Sequence, residues 1–218
     1  MPPTPRMRID PPLPPDENMR RDAELLDGEG PPRGRLYRWR PYGLSLGHFQ
    51  KEAPADWLRT LAPDEVRVVR RVTGGGAILH AEEITYAVAG PDGAFPFDGP
   101  VHRSYEHVHT MLIELFRSWG VEAGLETCRP HALKRHEQPF LCFDRATSMD
   151  VMAGGKKLVG SAKRRRGGRA LQHGSILLRA HPAQPHSVGL LDLAPRPLAE
   201  AEIMEALHNA FEGLLASS

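Results

Sequence analysis

The chain lacks several features that mark common classes of protein. It has 2 cysteines in 218 residues, too few for the disulfide framework of a small secreted domain, so at least one thiol is expected to be free. Its formal net charge of +1 gives no overall attraction to nucleic acid. It has no run of about 18 apolar residues that could span a membrane, and residues 1–15 lack the apolar core of a signal peptide. These absences predict a soluble, cytoplasmic protein without a nucleic-acid or membrane partner.

Proline, by contrast, is concentrated at the N-terminal end. Residues 1–16 contain prolines at positions 2, 3, 5, 11, 12, 14 and 15. Proline fixes the backbone angle φ and removes an amide donor, so we expect this segment to be an extended or disordered tail outside the fold. The chain, with 40% hydrophobic residues, is long enough to bury one substantial core. We therefore predict a single domain over residues 17–218.

The hydrophobic pattern mixes helical and strand periods. Apolar residues recur at helical spacing over 104–119 and 198–215, and a shorter helical pattern covers 18–26. Ser104 fits an N-cap for the helix at 104–119, and Gly120 fits its end. The strand candidates are 36–39, 44–46, 66–72, 84–88, 141–143, 150–153, 157–162 and 175–179. Because strands and helices do not alternate regularly, the pattern favours an α+β domain.

A thiol and an amine stand close together in the second half of the sequence. Cys142 opens a Cys-Phe-Asp segment, and Lys157 follows fifteen residues later, after a Gly154-Gly155 pair that predicts a hairpin turn. A thiolate attacks thioesters well, and a nearby ammonium favours the thiolate. The pattern alone also fits simpler interpretations, with Cys142 as a small core residue and Lys157 as a solvated hairpin residue. Strand alternation predicts that Lys156 and Lys157 point to opposite faces.

Three consecutive glycines, Gly74, Gly75 and Gly76, lie between Arg71 and His80. Glycine lets backbone amides approach a ligand closely. A flexible hairpin connection is the simpler interpretation of such a triplet. No Gly-Lys-Ser or Gly-Lys-Thr follows, so the segment is not a nucleotide phosphate loop, and it does not match the dinucleotide fingerprint.

Three blocks of sequence resemble the signature blocks of the lipoate-protein ligase and octanoyltransferase family, in the same order and with similar spacing. They are Arg-Arg-Val-Thr-Gly-Gly-Gly-Ala-Ile-Leu-His at 70–80, Gly-Lys-Lys-Leu-Val-Gly-Ser-Ala-Lys at 155–163 and Leu-Gln-His-Gly-Ser-Ile-Leu-Leu at 171–178. The resemblance covers roughly residues 17–215. It implies the α+β fold of biotin-protein ligase catalytic domains, with a mixed, largely antiparallel sheet flanked by helices and a curved acyl tunnel. It also implies a lysine on a carrier protein as the acyl acceptor.

Two chemistries occur within that family. Ligases activate free lipoate with ATP, whereas octanoyltransferases pass the acyl group through a cysteine. Ligases typically carry Gly-Arg-Asn-Asp before the lysine hairpin, but here Met149 stands at the asparagine position. The segment Cys142-Phe143-Asp144 resembles the cysteine octanoyltransferases instead. The chain also ends soon after its last predicted helix, without the accessory domain that many ligases use for adenylation.

The resemblance therefore predicts an octanoyltransferase of protein lipoylation. A thioester on Cys142 would carry the octanoyl group from acyl carrier protein to a lysine of a lipoyl domain, either glycine cleavage H protein or a dehydrogenase E2. No cofactor and a monomeric state are expected. One alternative is an ATP-dependent lipoate-protein ligase, with Lys157 at a lipoyl-adenylate and with ATP and magnesium required. The second alternative is a noncatalytic carrier-binding module.

Residue roles follow from the matched blocks. Cys142 and Lys157 are the predicted catalytic residues. The predicted substrate-binding residues are Arg71, Gly74, Gly75, Gly76, Ala77, His80, Gly160, Ser161, Ala162, His173 and Gly174. The histidines, including His107 and His109, lack zinc-site spacing, so no metal is predicted, and Cys128 is expected to be structural. The basic run at 163–169 is interpreted as a surface that recognises acidic carrier domains.

Overall fold

Two β-sheets and their covering helices build the molecule. The computed structural model describes residues 5–55, 66–126, 139–144, 147 and 149–217. In chain order the strands are β1 Met7–Ile9, β2 Arg33–Tyr37, β3 Tyr42–Leu46, β4 Val66–Arg70, β5 Ile78–His80, β6 Glu83–Pro91, β7 Ala123–Leu125, β8 Val151–Ala153, β9 Lys156–Arg166 and β10 Arg169–Leu177. The helices are α1 Pro15–Asp27, α2 Arg103–Ser118, α3 Leu190–Leu193 and α4 Glu200–Ala216, with a 3-10 helix at Cys142–Asp144.

The larger sheet has seven strands in the order β1-β2-β6-β10-β9-β8-β7. Its neighbours pair antiparallel except for β1 and β2, which are parallel. The smaller sheet has the order β4-β3-β5, with β3 parallel to β4 and antiparallel to β5. The segment 71–77, called the glycine block below, connects β4 to β5. The small sheet therefore determines where this segment lies. The predicted α+β class with a mixed, largely antiparallel sheet is confirmed.

Alternation along β6 explains how helices cover both faces of the large sheet. Tyr86 and Val88 point into the cluster that includes the apolar stripes of α2 and α4. Ala87 and Ala89 point the opposite way, into the cluster formed with α1. The sheet is therefore buried between helices.

Two sequence signals are confirmed at residue level. The Gly154-Gly155 pair forms the hairpin turn between β8 and β9, with φ of 55° and 74°. Positive φ at both central residues is what a two-residue hairpin requires, and glycine adopts it without steric cost. Lys156 is exposed and Lys157 is buried, as alternation predicts.

The predicted N-terminal tail is wrong from residue 7 onward. Met7–Ile9 pairs with β2, and Met7 is 1% exposed. Pro15 begins α1 at its first helical position, where a missing amide donor costs nothing. The prolines at 11, 12, 14 and 15 therefore flank the strand and open the helix, and they do not keep the segment out of the fold.

Other local predictions also need correction. The segment 141–143 is not a strand, because Cys142 begins the 3-10 helix and only Leu141 makes an isolated bridge, to Ala77. The N-cap of helix α2 lies two residues earlier than predicted, at His102 and not at Ser104. Ser104 is buried, and its hydroxyl accepts a hydrogen bond from Lys163.

Candidate active site

Strand β9 places the amine of Lys157 inside the protein. The residue is 2% exposed. Its Nζ lies 2.8 Å from Oδ2 of Asp150, 3.2 Å from the carbonyl oxygen of Cys142 and 3.9 Å from the Cys142 sulfur. A buried ammonium is costly unless it is paired and hydrogen-bonded. Asp150 provides that pairing, so the amine is held facing the thiol.

Asp150 was not among the residues predicted for the site. It is 3% exposed, and its Oδ2 also accepts a hydrogen bond of 2.7 Å from the Thr147 amide. A signal was present in the sequence: Asp150 directly precedes β8, whose partner strand β9 carries Lys157 opposite Met152. A carboxylate just before one strand of a hairpin can reach a lysine on the partner strand and form an ion pair with it.

Main-chain hydrogen bonds hold Cys142 against the glycine block. The Cys142 amide donates to the Ala77 carbonyl at 2.7 Å, and the Ala77 amide donates to the Phe140 carbonyl at 2.9 Å. Cys142 is half-buried and is a free cysteine. The first block and the cysteine segment, about 65 residues apart in sequence, therefore meet in space. We call Cys142 and Lys157 the reactive pair.

Arg71 organises the glycine block from within. Its guanidinium donates to the carbonyl oxygens of Gly74 and Gly76 at 2.7 and 2.6 Å, and to that of Ser45 at 2.9 Å. Gly75 has φ of 94°, and a Cβ there would lie 2.9 Å from the guanidinium. Arg71 is 2% exposed, so these contacts fix the block's shape. That Arg71 also contacts substrate stays a prediction.

His173 is held on both ring nitrogens. Nδ1 lies 2.8 Å from Oδ2 of Asp22, and Nε2 lies 2.6 Å from Oγ1 of Thr73. Burial by itself would raise the pKa of Asp22. The hydrogen bond from His173 and the charges of His173 and Arg35 outweigh that effect and lower the pKa below its ordinary value. His173 thus links helix α1 to the glycine block.

His80 is similarly enclosed. Nδ1 lies 2.7 Å from Oε1 of Glu83, Nε2 lies 2.7 Å from Oγ of Ser45, and the ring stacks on Trp39. Burial lowers the pKa of His80, although Glu83 acts in the opposite direction. The histidine network is the name used below for this connected set of buried side chains: Asp22, Ser45, Arg71, Thr73, His80, Glu83 and His173.

An open cleft of about 320 Å³ lies beside Lys157, and Asp150, which holds the amine, is part of its lining. From the predicted site it includes Gly74, Gly75, Ser161 and Ala162. The other lining residues are Tyr105, Thr147, Met149, Asp150 and Lys163. The remaining predicted residues, including Cys142, Lys157, Gly76, Ala77 and His173, are not in its lining.

Two glycines of the predicted site make room for neighbouring side chains. A Cβ on Gly160 would lie 2.6 Å from Cε of Lys157, and a Cβ on Gly174 would lie 2.4 Å from Oγ of Ser161. Both distances are shorter than real contacts of a Cβ atom. These positions stay free of a side chain so that Lys157 and Ser161 can occupy theirs.

The basic run at 163–169 is not a free loop. It forms the end of β9, the turn after it and the first residue of β10. Arg165 lies 3.0 Å from Asp92, Arg166 donates to Asp27 at 2.6 Å, and Arg169 donates to the Leu26 carbonyl at 3.1 Å. Burial, with the nearby charge of Arg165, lowers the pKa of Lys163 to about 8. Two of the five cationic side chains in this run are thus paired with carboxylates of the fold, which weakens the interpretation of this run as a carrier-binding surface.

Two further expectations concern Cys128 and the absence of a metal. Cys128 lies outside the described residues. Within the described ranges, no group of three or more His, Cys, Asp and Glu side chains could hold a metal ion. The absence of a metal stays a prediction. No helix in the described part of the chain is long and apolar enough to cross a membrane.

The family assignment comes from comparison with a protein-family model. The model described as the lipoyl protein ligase A/B catalytic domain matches residues 14–211. The chain belongs to this family. The three blocks that suggested it lie within the matched residues, and the sequence prediction of the family, and with it of an enzyme class, is confirmed.

Curated members of the family include octanoyltransferases similar to this chain. An Octanoyltransferase LipM of Kyrpidia tusciae is 35% identical over 207 residues, which cover 84% of this chain and 76% of that protein. An Octanoyltransferase LipM of Moorella thermoacetica is 36% identical over 168 residues, which cover 75% of this chain and 61% of that protein. These relatives belong to the acyltransferase class that the sequence predicts.

A solved structure supports the fold of the family. A T. acidophilum protein with bound lipoic acid superposes with a TM-score of 0.76 over 97% of this chain and 85% of that chain, at 19% sequence identity. At this identity the match supports the fold and not the activity. The predicted catalytic-domain fold is therefore confirmed independently of the motif blocks.

Proposed function

We propose that this chain is an octanoyltransferase of protein lipoylation that uses Cys142 as its nucleophile. The observation that carries the proposal is the contact between Lys157 and Cys142, in which Nζ lies 3.9 Å from the sulfur while Asp150 holds the amine. The two similar curated octanoyltransferases support the same reaction. The proposed donor is octanoyl-acyl carrier protein, and the proposed acceptor is a lysine of a lipoyl domain.

In the first half of the reaction, the sulfur of Cys142 attacks the carbonyl carbon of the octanoyl thioester. A new carbon–sulfur bond forms, and the intermediate collapses as the bond to the donor's sulfur breaks. The donor thiolate leaves and takes up the proton that the Cys142 thiol has lost. The product is an octanoyl thioester on Cys142.

In the second half, the neutral amine of the acceptor lysine attacks that thioester. A carbon–nitrogen bond forms, the bond to the Cys142 sulfur breaks, and one amine proton ends on the sulfur. The product is an octanoyl amide, and the enzyme returns to its starting state. No ATP and no metal ion is needed, because the thioester already carries the activated acyl group.

Lys157 would act in both halves. Its ammonium is a donor-only group with three N–H bonds, and it faces the sulfur that carries negative charge when it attacks and when it leaves. A fixed positive group at a site of developing charge lowers the barrier most when burial limits competition from water. Asp150 would keep the amine oriented through both steps.

Intact-mass analysis after incubation with octanoyl-acyl carrier protein, without ATP, tests the proposal. We expect an octanoyl adduct on the wild-type chain and on Cys128→Ala, which removes the other thiol and serves as the matched control. Cys142→Ala should carry no adduct. A wild-type chain that remains unmodified by the thioester would overturn the proposal.

The same assay separates the two alternatives. Attachment of free lipoate to a lipoyl domain only with ATP and magnesium would identify a lipoate-protein ligase that uses Lys157 at an adenylate. Tight binding of a lipoyl domain with neither reaction would identify a carrier-binding module. The monomeric state is checked by light scattering of the same sample.

A further inference from the structure

A line of hydrogen bonds runs from inside the core to the cleft. His109 on α2 contacts the Met149 carbonyl through Nδ1, and its Nε2 lies 2.7 Å from Oγ of Ser161 on β9. Oγ of Ser161 lies 2.6 Å from the hydroxyl of Tyr86, to which Gln172 donates at 2.9 Å. Ser161 lines the cleft. His109 is 1% exposed, and no sequence motif includes it.

The contact with Met149 determines where the proton of His109 lies. A carbonyl oxygen can only accept a hydrogen bond, so Nδ1 must carry the hydrogen. Burial, the largest influence, lowers the pKa of His109 to about 4, so the ring is neutral near pH 7. A neutral imidazole has one N–H, and Nε2 is therefore an acceptor. The hydroxyl of Ser161 must donate its only proton to Nε2.

The directions of the other bonds follow in sequence. Since the Ser161 proton points to His109, the short contact with Tyr86 requires the Tyr86 hydroxyl to donate to Ser161. Burial raises the pKa of Tyr86 to about 12, so it keeps that proton. The Tyr86 oxygen then accepts from the amide of Gln172, which agrees with the orientation of that side chain. Every bond in the line points the same way, from Gln172 to Met149.

This arrangement limits what Ser161 can offer a ligand. A hydroxyl has one donor and two acceptor positions, and His109 and Tyr86 occupy the donor and one acceptor. We infer that His109 fixes Ser161 as a hydrogen-bond acceptor of the cleft, and that the substrate group it binds is a hydrogen-bond donor. Ser161 is therefore not a donor for the oxygen of a thioester carbonyl.

The inference rests on the proposed function only for the identity of that donor group, which the proposed substrates supply as an N–H. Two substrates of the proposed reaction have this chemistry. One is the pantetheine arm of the donor, which contains amide N–H groups, and the other is the amine of the acceptor lysine. Ser161 would determine specificity for one of these groups, and His109 would be a positioning residue that acts through Ser161.

The tautomer of His109 gives a test that does not depend on activity. In long-range ¹H–¹⁵N correlation spectra of the histidine-labelled chain at pH 7, we expect the signal lost in His109→Phe to have the pattern of a neutral ring protonated at Nδ1. Phenylalanine keeps the ring volume and removes both nitrogens. A ring protonated at Nε2, or an imidazolium, would overturn the inference.

Paired donors test the amide group. The rate of Cys142 acylation is measured with octanoyl-N-acetylcysteamine and with its ester analogue, in which oxygen replaces the amide N–H. If Ser161 accepts from the donor arm, the wild-type chain should prefer the amide by about 3- to 10-fold, the usual value of one hydrogen bond. Ser161→Ala and His109→Phe should lose that preference. Ser118→Ala, an exposed serine on α2, should keep it.

The acceptor lysine is tested in the second half of the reaction. Enzyme that has already been acylated is mixed with a lipoyl domain, and loss of the adduct is followed by mass spectrometry. If the amine is the group bound, Ser161→Ala should slow this step by about 3- to 10-fold while donor preference stays unchanged. A Ser161→Ala variant equal to wild type in both halves would overturn the role of Ser161. Failure of every donor to acylate Cys142 would count against the proposed function alone, since the tautomer would still decide the orientation of Ser161.

Discussion

The reactive pair and the histidine network both contact the glycine block and use buried polar groups in opposite ways. Both ring nitrogens of His80 and of His173 are bound to side chains of the protein. The amine of Lys157, held by Asp150, faces a half-buried thiol next to an open cleft. Histidine is the usual acid–base residue, yet here both histidines are bound by neighbouring side chains and a lysine faces the proposed nucleophile. Residue type alone does not assign a role; what the polar atoms of the side chain face does.

The largest difference between the two regions should appear when the charge of Lys157 is removed. Lys157→Met should reduce octanoyl transfer by about 10²- to 10³-fold, the usual contribution of a fixed donor at a site of developing charge. It should also destabilise the fold by about 3–5 kcal/mol, because Asp150 is left buried and unpaired. Transfer is measured by single-turnover mass spectrometry, and stability by urea denaturation.

A double variant separates these two losses. Lys157→Met combined with Asp150→Asn removes the unpaired charge, so stability should recover while transfer stays low. Lys156→Ala, which changes the exposed neighbour, should match the wild type in both measurements. Recovery of transfer in the double variant would mean that Lys157 supports the structure and takes no part in the chemistry.

The histidine network should respond mainly in stability. Asp22 accepts hydrogen bonds from His173, Arg35 and Tyr37. Asp22→Asn removes the charge and one acceptor oxygen, which should cost about 3 kcal/mol in the free energy of unfolding. Asp16→Asn, on the exposed side of the same helix, should change it little. If Asp22→Asn remained folded and lost more transfer activity than Lys157→Met, the histidine network would matter more for the reaction than the reactive pair.

Acid should weaken the fold through His109. Its pKa in the folded protein is about 4, compared with about 6.5 in an unfolded chain. Between these values the unfolded state binds more protons, so stability is fully present above about pH 6.5 and is lost as the pH falls toward 4. The loss should reach about 3 kcal/mol.

Urea denaturation at a series of pH values measures this effect. His109→Phe should reduce the slope of the profile between pH 6.5 and 4, whereas His102→Gln, at an exposed histidine beside the same helix, should reproduce the wild type. A wild-type profile that is already flat over this range would show that His109 is protonated without cost, and the direction of its hydrogen bonds would then be in doubt.

The sequence predicted local features well where the chemistry is local. The apolar stripe of α2, the turn at Gly154-Gly155 and the opposite orientations of Lys156 and Lys157 depend on nearest neighbours along the chain. The three blocks identified the family. Proline content misled at the N-terminus, because the pairing of Met7–Ile9 with β2 depends on a partner strand more than twenty residues away in sequence, which no local pattern can show.

The site itself depended more heavily on tertiary contacts. The sequence predicts Cys142 and Lys157 as the catalytic residues, and the structure brings them together, but the prediction does not include Asp150, which orients the amine. The sequence gives His109 no role beyond its lack of zinc-site spacing, because its contacts are to Met149 and Ser161, which lie outside helix α2. Directional hydrogen bonding between distant segments leaves no periodic signal in a sequence.

The smallest effect expected here tests how closely the reactive pair depends on its position. A Cβ added at Gly160 would lie 2.6 Å from Cε and 3.1 Å from Nζ of Lys157, so Gly160→Ala should displace the amine from Cys142. Since a shift of about 1 Å at a reacting group can cost about 100-fold, we expect transfer to fall about tenfold in the single-turnover assay. Gly213→Ala, where α4 has open space, should instead stabilise the fold by about 0.5–1 kcal/mol without altering transfer. Unchanged transfer in Gly160→Ala would mean that the reaction does not depend on the exact position of the Lys157 amine.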